Sequence, residues 1–150
     1  MSILQRRGST NESEEFMQAA LVEGRRALPL CLPNPPVGCV LVKSGTIIAK
    51  GHTQPPGLHH AEAMSLSQVS GDLTDVTAYV TLEPCSFQGK TPSCAKALVA
   101  SGIKRVIVAM IDPDPRNAGA GIQILRANGV DVSVGLLEGE AIADLEPYLG

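Results

Sequence analysis

Val76-Thr77-Ala78-Tyr79-Val80-Thr81-Leu82-Glu83-Pro84-Cys85 alternates through Leu82 and then breaks at a proline. It reads as a strand that delivers Cys85 directly off its end. Thr91-Pro92 reads as a helix start, with threonine at the N-cap and proline at the first helical position, and this sets Cys94 in the first turn. Ala95, Leu98 and Val99 give that helix an apolar face, and Gly102 supplies its C-terminal cap. Val106-Ile107-Val108-Ala109-Met110-Ile111 follows as a buried strand, closed by Asp112-Pro113-Asp114-Pro115. Strand, helix and strand in this order form a parallel crossover, which makes the chain an α/β protein.

Downstream, a helix is expected over 118–127, ending at Asn128-Gly129. Val130, Val132 and Val134 then alternate as a last strand, and 138–148 can form a closing helix. Upstream, the apolar runs 37–43 and 46–50 flank Ser44-Gly45 and read as a hairpin whose first strand is buried on both faces. Before it, Asn11 with Glu14 gives a capping-box-like start, and Phe16, Met17, Ala20, Leu21, Gly24 and Leu28 recur at helical spacing. Residues 1–10 are polar and expected to be frayed or disordered, leaving 11–150 as one folded domain. Between hairpin and strand, His59-His60-Ala61-Glu62 opens a short helix running to about residue 68. The predicted fold is a three-layer α/β/α sandwich on a mixed, mostly parallel five-stranded sheet, with ligands at the strands' carboxyl ends.

The composition narrows the function classes. Of 150 residues, 44% are hydrophobic, but only two are Phe, two are Tyr and none is Trp, so the core is aliphatic. Twelve basic against 15 acidic residues leave a net charge of -3, and no basic run exceeds two residues. That balance and the scarcity of stacking aromatics argue against a nucleic-acid partner. No apolar run approaches the roughly 20 residues that span a bilayer, and the first ten residues carry no secretory core. A cytoplasmic setting is the expectation. Four cysteines in a reducing compartment are metal ligands or buried thiols more often than disulfides; Cys31 and Cys39, beside and inside apolar segments, read as packed thiols.

His60, Cys85 and Cys94 remain, one imidazole and two thiols at helix starts or just past a strand end. This is a donor set that borderline-soft Zn²⁺ takes in an open site, with three protein ligands and one free position. Two residues beyond the histidine, Glu62 shares no mid-helix face with it, but at a helix start the two side chains fan around one open end. A carboxylate left off the metal can move protons. His-x-Glu, Pro-Cys and a further Cys form the pattern of zinc deaminases, whose usual Cys-x-x-Cys is here stretched to eight intervening residues.

Pro33-Asn34-Pro35-Pro36-Val37-Gly38-Cys39-Val40-Leu41-Val42, His60-Ala61-Glu62, Thr81-Leu82-Glu83-Pro84-Cys85-Ser86, Gly89-Lys90-Thr91-Pro92-Ser93-Cys94 and Asp112-Pro113-Asp114-Pro115 resemble the pyrimidine deaminase domain of riboflavin biosynthesis, in the cytidine deaminase superfamily. The resemblance implies hydrolytic deamination of a diaminohydroxyphosphoribosylaminopyrimidine, zinc on His60, Cys85 and Cys94, and proton transfer by Glu62. It also implies substrate contacts from Asn34, Thr53, Ala61 and Lys90, and a homo-oligomer, dimer or tetramer. In three respects the chain departs from the family pattern. Thr53 stands where a substrate-contacting histidine is common, with His52 shifted by one; Asp114 replaces an asparagine; and the reductase domain that usually follows is absent, as in a stand-alone deaminase or a chain cut at the domain junction. Other readings are deamination of a different small heterocycle, or a zinc-stabilised assembly domain without catalysis.

Overall fold

The computed structural model describes residues 2–87 and 93–149, with side chains from residue 12 onward. The chain forms α1 (Ser2–Arg25), the hairpin β1 (Gly38–Lys43) and β2 (Thr46–His52), α2 (Ala61–Leu66), β3 (Val76–Val80) and α3 (Cys94–Ser101). It continues with β4 (Arg105–Val108), α4 (Ala120–Ala127), β5 (Asp131–Val134), α5 (Glu138–Leu145) and a closing 3-10 turn, Glu146–Tyr148. The element order is the one expected from sequence. The helix expected to start near Asn11 begins already at Ser2, so the stretch 2–10, expected to be frayed, is helical in its backbone; the side chains of 1–11, and with them the capping box, lie outside the described residues.

The five strands are ordered β2-β1-β3-β4-β5. β1 pairs antiparallel with both β2 and β3, whereas β3 with β4 and β4 with β5 are parallel. Only β1 therefore runs against the other four strands. It is flanked on both edges and buried from Gly38 to Val42, which explains its continuous apolar sequence. Ser44 and Gly45 turn the hairpin with φ of 50° and 76°, the left-handed pair that a two-residue connection between twisted strands requires.

Successive residues of β2 show how the two faces are covered. At Gly51 a Cβ would run into the Ala61 carbonyl of α2, while His52 turns the other way and meets Glu23 of α1. α1 lies on β1 with α5 beside it, and α2, α3 and α4 touch in succession. The approach of α1 is equally close, since a Cβ on Gly38 would collide with the Ala20 carbonyl. Met17, Leu21, Leu41, Leu98 and Leu125 are fully buried between these layers, and Phe16 packs on Tyr79 with ring centres 5.5 Å apart. Cys31 and Cys39 are likewise buried and unpaired, as expected.

One local assignment shifts. α3 begins at Cys94 with Ser93 as N-cap, the Ser93 hydroxyl accepting from the Lys96 N–H at 3.2 Å. The expected start at Thr91-Pro92 falls outside the described residues, but Cys94 is in the first turn either way.

Candidate active site

Three strands release their chains toward one place. β2 gives way to Thr53, β3 to Leu82 and Glu83, and β4 to Asp112, and these four residues line a single cavity of about 660 Å³. It sits at the carboxyl ends of β2, β3 and β4, where an α/β sheet puts its ligands.

His60 and Cys85 line one wall of it with the buried Cys94 beside them, the candidate ligand atoms of all three within 4.8 Å of one another. His60 is the N-cap of α2 but makes no side-chain cap bond, so its ring is free to turn toward the sulfurs. Its Nδ1 is 3.2 Å from Cys94 Sγ and 4.0 Å from Cys85 Sγ. The backbone ties the two cysteines together: Cys94 N–H donates to Cys85 Sγ at 3.3 Å and Ala95 N–H to the Cys85 carbonyl at 3.1 Å. Neighbouring ligands on a tetrahedral ion with bonds of about 2.0–2.3 Å stand roughly 3.5–3.8 Å apart. The observed separations bracket that range, so donor set and spacing both fit zinc.

Electrostatically the cluster is strongly coupled. The Cys94 thiol above all, then His60 and the Cys94 N–H, hold Cys85 down to about 4 against the opposing effect of burial. The Cys85 sulfur and then burial push Cys94 up. His60 is raised, first by its hydrogen bond to Cys85. Two thiols sharing one proton beside an imidazole form an incipient anionic site, which a divalent cation completes.

Glu62, the second residue of α2, is 4% exposed and faces the same cavity. Burial, and next the negative charge of Cys85, raise its carboxyl to about 7. A nearby bound dication would act in the opposite direction.

Asn34, Thr53 and Ala61 all line the cavity, whereas Lys90 lies outside the described residues. The side-chain amide of Asn34 makes no hydrogen bond to the described residues, so it is available to a ligand. Thr53 differs. Its hydroxyl donates to the Pro35 carbonyl at 2.9 Å and accepts from the Val37 N–H at 3.0 Å, which pins the proline loop to the end of β2. His52 does not replace the missing histidine: its Nδ1 is 2.6 Å from Glu23 Oε2, on the opposite face of the strand.

Several residues escaped the sequence reading. Glu83, 3% exposed, accepts backbone N–H bonds from Asp112 at 3.1 Å, Gly119 at 2.9 Å and Ile122 at 3.1 Å. It thus fastens the Cys85 segment to the start of α4. Asn117 donates to the Pro84 carbonyl at 3.3 Å, and a Cβ on Gly121 would run into that same carbonyl. Phe87, Arg116 and Tyr148 join the lining. Composition held one clue: Phe16 and Tyr79 are used in the core, and the remaining Phe87 and Tyr148 both face the cavity.

The family model described as the cytidine and deoxycytidylate deaminase zinc-binding region matches residues 10–110, which contain all three candidate ligands and Glu62. The chain belongs to this deaminase family. Among its relatives, the diaminohydroxyphosphoribosylamino-pyrimidine deaminase of Buchnera aphidicola is 47% identical over 109 residues, covering 73% of this chain and 74% of that protein. The riboflavin biosynthesis protein RibD of Escherichia coli is 45% identical over 130 residues, covering 87% of this chain and 35% of that protein. Among solved structures, Acinetobacter baumannii RibD superposes with a TM-score of 0.88 at 41% identity, over 93% of this chain and 39% of that one. The chain therefore spans about a third of the length of the RibD relatives it matches. The cytidine deaminase-like α/β fold expected from sequence is the fold of this deaminase family.

Proposed function

We propose that residues 11–150 form a zinc-dependent hydrolytic deaminase acting on a diaminohydroxyphosphoribosylaminopyrimidine and releasing ammonia. The observation that carries the reading is the buried Glu62 carboxyl opening into the same cavity as the His60, Cys85 and Cys94 cluster. The name of the Buchnera relative supplies the substrate.

His60, Cys85 and Cys94 would hold zinc, which would supply the Lewis acidity that lowers the pKa of a water molecule toward about 7. Glu62 takes the proton from that water, passes one to the ring nitrogen beside the amino-bearing carbon, and assists departure of the amine. The ring carbon gains oxygen from water as its bond to nitrogen breaks, so one water is consumed and one ammonia leaves. Burial keeps Glu62 out of bulk solvent, so the proton it receives is handed to the ring. Asn34 would hold the pyrimidine by its free amide, and Ala61 would form the floor beneath it. Lys90 and Thr53 complete the proposed contacts, Thr53 by fixing the proline loop that carries Asn34.

Ammonia release from the phosphoribosylated aminopyrimidine by zinc-loaded protein tests this reading. Glu62→Gln should lower kcat by about 10²–10⁴-fold while zinc content and melting temperature hold. Full activity in that variant would overturn the role of Glu62. A folded, zinc-bound wild-type protein without activity on any aminated heterocycle would point instead to an assembly domain.

A reducing, cytoplasmic setting fits four free cysteines, and no helix of the described residues is long and apolar enough to cross a membrane. A homo-oligomer belongs to the same proposal, to be read as a multiple of the 15.6 kDa chain mass by light scattering.

A further inference from the structure

Among the described residues lining the cavity, Arg116 carries the single fixed positive charge. Its side chain is 74% exposed, yet it is held from two sides. Nε lies 3.1 Å from both carboxylate oxygens of Asp114, Nη2 lies 2.6 Å from Oδ2, and the Arg116 backbone N–H donates to Oδ1 at 2.9 Å. On the other side the guanidinium carbon stands 4.9 Å from the centre of the Phe87 ring, a cation–π arrangement on a side chain that also lines the cavity. Both contacts favour this orientation of a long, solvated side chain before any ligand arrives.

The donor count matters next. A guanidinium has five N–H groups; Asp114 engages the Nε–H and one on Nη2, and the other three have no partner among the described residues. Both Asp114 oxygens are occupied by Arg116, so this carboxylate acts on the arginine and is not presented bare to an incoming anion. Asp114 stays charged because the Arg116 side chain, and then the Arg116 N–H, hold it down to about 2. The replacement that would by itself repel a phosphate is accompanied by the cation that neutralises it.

We propose that Arg116, positioned by Asp114 and stacked on Phe87, binds the phosphate of a phosphorylated aminopyrimidine at the edge of the cavity. This inference deepens the functional reading above and rests on it for the identity of the ring. A planar guanidinium with free N–H groups suits the tetrahedral oxygens of a phosphate monoester. Pre-orientation by Asp114 and Phe87 reduces the rotamer entropy lost on binding.

The test compares ammonia release from the phosphoribosylated aminopyrimidine and from its dephosphorylated counterpart. Arg116→Ala should raise KM for the phosphorylated substrate about tenfold or more, leave kcat unchanged, and leave KM for the dephosphorylated one within about twofold. Phe87→Leu should give a smaller rise with the same selectivity, since it removes the stacking and leaves both charges in place. Equal changes on both substrates, or none on either, would overturn the proposal. If wild-type protein releases ammonia from neither compound, the assigned substrate is wrong, and calorimetry on zinc-loaded protein decides the anion site by itself. Ribose 5-phosphate should then bind more tightly than ribose and lose about tenfold in affinity in Arg116→Ala; no binding, or equal binding by wild type and variant, would overturn it.

Discussion

At the scale of single residues, neighbours in sequence have been put to opposite uses. Thr53 and His52 occupy the end of one strand, and the period of two sends the histidine to α1 and the threonine toward the cavity. The Thr53 hydroxyl is the only link between the proline loop and this strand end made by a side chain among the described residues. Thr53→Val should therefore leave the Pro35 carbonyl and the Val37 N–H without it and cost about 1–3 kcal/mol in denaturant unfolding. Zinc content should be unchanged, because no metal-site group is touched. Arg116 and Asp114 yield a pH prediction. The Asp114 pKa is lowered in the folded chain to about 2 from an ordinary 3.8, so the pair contributes stability above the unfolded value and loses it as pH falls through about 2. In Arg116→Ala the Asp114 carboxyl resonance should titrate between 2 and 3.8, as followed by carbon NMR, because the backbone N–H of residue 116 still donates to it; a midpoint that stayed near 2 would remove the arginine side chain as the main cause.

At the scale of elements, what sequence can disclose depends on how local the physics is. The juxtaposition of His60 and Glu62 was legible because a helix start lets residues two apart share an opening, and α2 begins at Ala61 with Glu62 in its first turn. Cys94 was legible for the same reason, although its cap is Ser93. The opposite fate of His52 could also be read, since it follows from strand period alone. Glu83 was not legible. Its three N–H partners lie 29, 36 and 39 residues further on, and no local pattern announces that a carboxylate leaving β3 will close the start of α4. Arg116 stayed hidden for a related reason: its stacking on Phe87 joins two loops from different strand ends. Substitutions can test this wiring. Glu83→Gln presents an amide N–H₂ to backbone donors and should cost about 2–3 kcal/mol, with weaker zinc retention against a chelator because the Cys85 segment is released. Gly121→Ala attacks the same junction through sterics, forcing α4 away from the Pro84 carbonyl. Roughly 1–3 kcal/mol is expected for that overpacking, together with a comparable loss of zinc affinity. Gly45→Ala is a useful contrast: nothing lies within 4 Å of the added carbon, so only the φ of 76° is strained and the metal site should not respond.

For the whole molecule, the sheet order explains why one corner holds the chemistry. β3 is central, with β1 on one side and β4 on the other, so residues leaving β3 are adjacent to the ends of both neighbours. The three candidate ligands therefore come from two helix starts and one strand exit, and a metal joining them clamps α2 to α3 across that corner. Zinc at about 100 times its dissociation constant should stabilise the native state by roughly 2.7 kcal/mol. For a domain of this size that corresponds to a rise of about 5–11 °C in melting temperature, lost on chelation and restored by zinc. An unchanged melting curve would mean that the cluster does not bind the ion in the folded state.

In sequence order the cavity lining runs from Asn34 to Tyr148 and Leu149, while the candidate metal ligands end at Cys94. On a ribosome these parts emerge in a fixed order. At about 5–20 residues per second, the stretch from Cys94 to Leu149 takes roughly 3–11 s to synthesise. During that interval a nascent chain would already carry every donor for the ion but not the far wall of the pocket, so metal capture can precede closure of the substrate site.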